Sequence, residues 1–179
     1  MKRSHGFTLI ELLVTIAVLA ILLTIALPGF SRWLPSYRLK GAARDVFSNL
    51  QLAKMTAIKE RAECAVVFDS TNSRYQIILG GTGADADRAY GTGGNDVVVK
   101  TVTFSEYGSG VSYGLGVGTA ISGSTNLNGS SVVFNPRGFI NASSGGYAYL
   151  QNNRNACFAT GVSTSGSILL RKWTGSQWR

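Results

Sequence analysis

The segment from Phe7 to Leu27 constrains the chain most, because Glu11 is its only ionisable residue. As an α-helix it would be about 31 Å long, enough to cross a hydrocarbon core of about 30 Å. A charged side chain inside that core costs roughly 2.5–3.5 kcal/mol, so Glu11 requires a positively charged partner. The sequence therefore predicts a membrane-spanning helix whose carboxylate is neutralised by another copy of the same kind of helix.

A processing motif begins this segment. The short basic leader, residues 1–6, ends in Gly6 and is followed directly by Phe7-Thr8-Leu9-Ile10-Glu11. This run resembles the type IV prepilin signature, which pilins, minor pilins and type II secretion pseudopilins share. The resemblance implies cleavage after Gly6 by a prepilin peptidase, N-methylation of Phe7, and pairing of Glu11 with the terminal amine of a neighbouring subunit. The alternatives are an ordinary signal anchor and a Glu11 side chain that only reaches the headgroups.

The rest of the chain suits one domain that follows a stem helix. About 150 of the 179 residues remain after the leader and the span, a length typical of a single domain. Residues 28–62 predict an amphipathic stem, with a kink or local melting at Pro28 and Gly29. We expect the stem to end near Arg61 or Ala62. Helical spacing assigns its apolar face to Leu39, Ala43, Val46, Phe47, Leu50, Ala53, Ala57 and Ile58.

Residues 63–179 predict a β-rich domain. Two apolar runs, 64–68 and 75–79, are separated by a cluster of turn residues and predict a hairpin. The Gly-rich stretches 80–95 and 108–129 carry no pattern that assigns them to an element. The fold class is therefore α+β, with a long N-terminal helix packed on antiparallel β-sheet. Further strands are predicted at 97–104, 132–134, 147–151, 157–162 and 168–170.

This domain resembles the GspH/FimT-type branch of the pilin superfamily. The resemblance rests on residues 42–58, on the hairpin, and on Val133-Phe134-Asn135-Pro136-Arg137-Gly138, which is similar to a recurrent Phe-Asp/Asn-Pro-x-Gly turn. It implies a type IV pilin-like fold and a minor pilin or minor pseudopilin, not the abundant filament subunit. The implied location is the bacterial inner membrane, as a single-pass protein with a periplasmic domain, and then a pilus or pseudopilus.

The sequence indicates assembly and not catalysis. The only histidine, His5, lies in the leader, which excludes a Ser-His-Asp or Cys-His arrangement in the mature domain. We expect no enzyme activity, no cofactor and no small-molecule substrate. The predicted function is to initiate or cap a type IV pilus-like filament, with other pilins or pseudopilins as partners. A GspH-like minor pseudopilin of type II protein secretion is an alternative.

A basic tail gives a second alternative, a DNA-binding minor pilin for DNA uptake in natural transformation. Cations neutralise phosphates, and aromatic rings stack on unpaired bases. Some FimT-type DNA receptors carry Gly-Arg-x-Arg, whereas the nearest segment here, 166–169, has neither arginine. A solvated basic surface with Trp173 in the core is the other interpretation. No acidic residue follows Glu106, and the tail contributes Arg171, Lys172, Trp173, Trp178 and Arg179.

Cysteines and acidic loop residues suggest two further sites. Cys64 and Cys157 are predicted to form a disulfide in an oxidising compartment, with two isolated buried thiols as the alternative. A zinc site is not expected, because the chain has no other cysteine and its one histidine is in the leader. Oxygen ligands suit Ca²⁺, although acidic residues in a loop are usually only solvated. The candidate ligands are Asp85, Asp87 and Asp96, with Asn95.

Overall fold

The computed structural model covers most of the chain, without the side chains at 26–30 and 32. The predicted leader with Gly6 and the predicted calcium ligand Asp85 lie outside the described residues. The chain divides into two compact units, Met1–Leu34 and Pro35–Arg179. The second unit contains the sheets and the buried core. The described residues are 7–81, 87–92, 94–141 and 145–179.

One helix, α1, extends over Leu9–Glu60. At its start the Thr8 hydroxyl accepts a hydrogen bond from the Glu11 backbone N–H (3.3 Å), which satisfies one of the free amides of the first turn. The helix continues through Pro28 and Gly29, so the local melting predicted there is wrong. A proline removes one donor and can bend a helix without ending it.

The C-terminal part of α1 carries most of the predicted apolar stripe. Arg61 (φ 53°) takes the left-handed conformation that ends many helices, close to the predicted end. Phe47 is half-buried, and Ile58 is 47% exposed, so the prediction that Ile58 belongs to the buried face is wrong. Ile58 is rotated by about 100° around the helix from buried Ala57, which turns it to the solvent side. The buried members are Leu39, Ala43, Val46, Leu50, Ala53 and Ala57.

The N-terminal part of α1 is apolar and uncovered within its own unit. Every side chain from Phe7 to Ile25 is exposed, and Phe7 itself is 81% exposed. In the part of the chain that the structure describes, no helix has both the length and the apolar character needed to cross a membrane. A helix that is apolar on all sides normally has its surface covered by other protein or by lipid.

The strands of the second unit form two sheets. In the first sheet the strand order is β3-β2-β1-β6, and all neighbours are antiparallel. In the second sheet the order is β4-β7-β8-β9, again antiparallel, while β5 pairs with β7 in parallel. The strands are β1 (Cys64–Asp69), β2 (Arg74–Leu79), β3 (Val97–Thr103), β4 (Val111–Tyr113), β5 (Thr125–Asn126), β6 (Ser131–Phe134), β7 (Gly146–Asn152), β8 (Cys157–Val162) and β9 (Ile168–Lys172).

These strands confirm the α+β class and the predicted hairpin, which is the β1–β2 pair. Two short strands, β4 and β5, and a 3₁₀ turn at Phe104–Tyr107 were not predicted. They lie in or beside the second Gly-rich stretch. Strands of two or three residues are too short for an alternation of apolar and polar side chains to be read.

The core joins α1 to both sheets. The Thr160 hydroxyl of β8 donates to the Ala43 carbonyl of α1 (3.2 Å). On the other sheet, the Asn49 side-chain amide donates to the Tyr75 hydroxyl of β2 (2.6 Å). Both bonds are buried, so each satisfies polar groups that would otherwise destabilise the core. The largest side chains in this core include Phe68, Tyr75, Phe104, Phe134 and Leu150.

Candidate functional site

The predicted assembly residues lie at the exposed start of the chain. Phe7 precedes α1, and Glu11 lies in its first turn. Both side chains are exposed, and within the described residues Glu11 forms no ion pair. The exposed Glu11 carboxylate is therefore open to a group from another chain. The predicted cleavage at Gly6 lies outside the described residues.

The predicted DNA-binding tail folds back on itself. The Lys172 N–H donates to the Arg179 carbonyl (2.6 Å), and the Arg179 N–H donates to the Lys172 carbonyl (3.0 Å). Between them the Trp173 and Trp178 rings meet edge to face, with their centroids 5.2 Å apart. The Trp178 indole N–H donates to the Thr119 carbonyl (2.8 Å). The structure therefore brings the two tryptophans and two of the cations together.

Exposure limits what this tail can bind. Lys172 and Arg179 are exposed, whereas Trp173 and Trp178 are half-buried. Arg171 precedes Lys172 in β9, and successive residues of a strand point to opposite faces, so these two cations do not share a face. Stacking of either indole on a base would compete with the contact that it already makes. The tail thus offers two neighbouring cations with little accessible aromatic surface.

Cys64 and Cys157 are free thiols, which contradicts the predicted disulfide. Cys64 lies in β1 of the first sheet, opposite Leu79 and Phe134. Cys157 begins β8 of the second sheet, where its Sγ lies 3.5 Å from the Gly114 carbonyl. Each thiol is thus packed inside a different sheet. Burial raises the pKa of Cys64 to about 11 and that of Cys157 to about 12, so both are protonated at neutral pH.

Two of the described calcium candidates, Asp87 and Asp96, accept hydrogen bonds from their own loop, whereas the Asn95 side-chain oxygen is buried without a partner among the described residues. Asp87 accepts from the Thr92 hydroxyl and from the Ala89 N–H (3.1 Å), and these two bonds lower its pKa. Asp96 accepts from the Gly91 N–H (3.0 Å). Among the residues that the structure describes, no three His, Cys, Asp or Glu side chains form a group that could hold a metal ion.

The turn after β6 has the geometry that its sequence indicates. The Asn135 side-chain oxygen accepts from the Arg137 N–H (2.9 Å) and from the Phe139 N–H (3.1 Å). Gly138 has a positive φ of 79°, which glycine adopts without strain, and its N–H donates to the Asn135 carbonyl (2.9 Å). The Asn-Pro-x-Gly run is therefore a structural turn.

Sequence reasoning missed a cleft on the exposed side of α1. The sequence contains a signal for one wall of this cleft, because residues 37, 40, 41 and 44 are spaced three and four apart and so share one helix face. The contribution of Tyr107 depends on the tertiary fold and carries no local signal. We call this feature the basic cleft, and its lining residues are Tyr37, Arg38, Lys40, Gly41, Arg44 and Tyr107.

Two protein-family models match the sequence. Residues 1–27 match the prokaryotic N-terminal methylation motif. Residues 42–168 match the model described as Type II transport protein GspH. The second match includes most of the second unit, and together the two matches leave only residues 28–41 and 169–179 unassigned. No curated protein matched the sequence.

A solved structure shows the same fold at low sequence identity. A crystal structure of the type IV minor pilin FimU from Pseudomonas aeruginosa (strain PAO1) is 13% identical, covers 82% of this chain and 96% of its own, and has a TM-score of 0.53. A second crystal form of that protein is 14% identical, covers 79% of this chain and 97% of its own, and has a TM-score of 0.49. The similarity to the first of these crystal structures confirms the type IV pilin-like fold.

Proposed function

The chain belongs to the Type II transport protein GspH family, and we propose that it initiates or caps assembly of a type IV pilus-like filament. Members of this pilin and pseudopilin family are structural subunits and not enzymes. The chain is accordingly a membrane-anchored subunit of the cell envelope whose partners are other pilins or pseudopilins.

The exposed apolar half of α1 is the observation that supports this proposal. All described side chains from Phe7 to Ile25 are exposed, and within the described residues the buried core begins only at Leu39. Apolar surface of this extent is unfavourable in water, at roughly 25 cal/mol per Å². Its cover therefore comes from outside the chain. We assign that cover to lipid before assembly and to other subunits afterwards.

Glu11 gives the assembly its specificity in this proposal. A prepilin peptidase cleaves after Gly6, Phe7 becomes the methylated N-terminus, and its amine pairs with Glu11 of a neighbour. Pairing removes the cost of an isolated carboxylate in an apolar core. Residues 7–27 are the proposed single membrane span, and this span includes Ala26 and Leu27, whose side chains lie outside the described part. The domain that follows is periplasmic.

The test is the substitution Glu11→Ala in the full chain. We expect normal insertion and processing but a decrease in filament incorporation of roughly tenfold or more, because the neighbour's amine loses its partner. Glu60→Ala is the matched control, since Glu60 lies at the other end of α1 and, within the described residues, forms an ion pair only with the adjacent Lys59 (2.9 Å). Normal incorporation of the Glu11 variant, measured by immunoblotting sheared filaments, would contradict the proposal.

A minor pseudopilin of type II protein secretion has the same fold and the same family match. Deletion of the gene distinguishes the two systems, because a pilus subunit affects surface piliation and a pseudopilin affects export of folded proteins. We expect loss of piliation with secretion intact. Loss of secretion with intact pili would identify the pseudopilin.

DNA binding for natural transformation is a second candidate, favoured by the adjacent cations Lys172 and Arg179. If they bind phosphates, duplex DNA should bind in the micromolar range at about 50 mM salt and much more weakly at 200 mM. A variant with Lys172→Ala and Arg179→Ala should then bind less tightly and with a shallower salt dependence. Absence of binding by the parent protein at the lower salt concentration would remove this candidate.

A further inference from the structure

We infer that the basic cleft binds the headgroups of anionic phospholipids while the subunit waits in the membrane before assembly. This inference rests on the proposed membrane span. The cleft lies wholly in the second unit, between α1 and Tyr107 of the 3₁₀ turn. Lys40, Gly41 and Arg44 are exposed there, whereas the neighbouring positions Leu39, Ala42 and Ala43 are buried against the core.

The walls of the cleft are held in position. The Tyr107 hydroxyl donates to the Asp45 carboxylate (2.6 Å), which fixes the ring beside the helix. On the same side the Arg38 guanidinium lies over Gly108, where a Cβ would come within 2.9 Å of the Arg38 Cζ. Gly108 also has a positive φ of 82°. The backbone turn therefore favours a glycine at this position, and the missing side chain leaves room for the Arg38 guanidinium.

The charge of the cleft is only partly balanced. Within the described residues Arg38, Lys40 and Arg44 form no ion pair. Two acidic groups lie nearby, and each already accepts a hydrogen bond: Asp45 from Tyr107, and Glu106 from the Thr103 hydroxyl (3.0 Å). Three cations beside two carboxylates leave a net positive charge. This arrangement favours an anion, and the guanidinium and ammonium groups suit phosphate oxygens.

Position along the chain favours a lipid phosphate over other anions. Tyr37 follows the end of the apolar segment, Leu27, by ten residues, and Phe30 and Trp33 lie between them. Tyrosine and tryptophan are enriched at the membrane–water interface, and basic clusters next to a membrane segment attract anionic lipids. The cleft combines these two kinds of residue, with Tyr37 and Tyr107 beside the three cations.

Vesicle binding by the fragment Pro35–Arg179 tests this inference without the span. The fragment contains all the buried core residues that the structure describes, so we expect it to fold on its own. It should bind vesicles containing phosphatidylglycerol and not vesicles of phosphatidylcholine, and binding should weaken as salt rises. Each cation near an anionic surface contributes about a fivefold gain in binding, so three Ala substitutions at Arg38, Lys40 and Arg44 should weaken it roughly 100-fold.

The matched control is a triple Ala variant at Lys59, Arg137 and Arg154, three exposed cations, which removes the same charges elsewhere. It should bind nearly as tightly as the parent fragment. The double variant Lys40→Ala with Arg44→Ala, two exposed positions, keeps the test valid if loss of Arg38 disturbs folding. Three results would each overturn the inference. They are an equal loss of vesicle binding in both triple variants, no binding of the parent fragment to either kind of vesicle, and an equal affinity of the cleft for duplex DNA. None of these outcomes bears on Glu11, so the filament proposal is tested separately.

Discussion

The two halves of α1 use the same kinds of apolar residue for opposite purposes. In the second unit Leu39, Val46 and Leu50 are fully buried under the sheets. In the first unit Leu9, Val14 and Leu19 are more than half exposed, with no cover from their own unit. The difference shows that apolar composition alone does not say what a helix packs against. The C-terminal half completes a domain, and the N-terminal half requires partners from outside the chain.

Leucine substitutions in the two halves of α1 should give the largest difference in stability. Leu50→Ala should lower the free energy of unfolding of the domain by about 2–5 kcal/mol, because it leaves a cavity in a closed core. Leu19→Ala, in the same helix, should leave that stability unchanged, because Leu19 is 56% exposed. Thermal unfolding of the detergent-solubilised chain measures both. Equal loss of stability in the two variants would mean that the halves do not differ as described.

Substitution of one tryptophan in each unit, Trp178 and Trp33, should give a difference in stability of intermediate size. Trp178→Ala should lower stability by about 2 kcal/mol, because it removes ring contacts with Tyr149 and Trp173 and the bond to the Thr119 carbonyl. Trp178→Phe should restore part of the loss, since it keeps a ring and loses only the N–H. Trp33→Ala, in the first unit, should have little effect. Chemical denaturation followed by circular dichroism distinguishes the three variants, and no loss in Trp178→Ala would contradict the packing of the tail.

Substitution of one threonine in each unit should give a smaller difference in stability. Thr160→Val should cost about 1 kcal/mol, because the buried Thr160 hydroxyl donates to the Ala43 carbonyl (3.2 Å) and joins the second sheet to α1. Thr15→Val should leave the domain unaffected, because the Thr15 hydroxyl donates to the Leu12 carbonyl of its own helix (2.8 Å) and, among the described residues, to no group of the domain. Denaturation midpoints check both variants. If Thr15→Val lowered stability as much as Thr160→Val, the Thr160 bond would not be what joins the second sheet to α1.

The cysteines predict a change of stability at alkaline pH. Their pKa values rise from 9.0 to about 11 for Cys64 and about 12 for Cys157 on folding. The folded state therefore holds these protons when the unfolded chain has released them, so this contribution is complete below pH 9 and declines as pH rises toward 11–12. Replacing both cysteines by Ser should flatten the decline, and a thiol reagent should detect two thiols only after unfolding. Absence of free thiols in unfolded, unreduced protein would restore the predicted disulfide.

Local signals in the sequence were enough for most of the elements but not for their arrangement. The spacing of Leu39, Val46 and Leu50 predicted the buried face, and the apolar run 75–79 after a turn cluster predicted β2. Division into two sheets depends on pairing between distant strands, which no local pattern encodes. For the same reason the separation of Cys64 from Cys157 was invisible, as was the contribution of Tyr107 to the basic cleft.

The most direct test of the account is cysteine cross-linking along α1 in cells that assemble the filament. Val14→Cys, in the exposed half, should form disulfides with neighbouring pilin subunits that carry a matching cysteine, and adding Glu11→Ala should abolish them. Ala53→Cys, which lies in the buried core, should form none. If Val14→Cys gives no cross-link while filaments assemble normally, the N-terminal half of α1 is not the surface that joins the subunits.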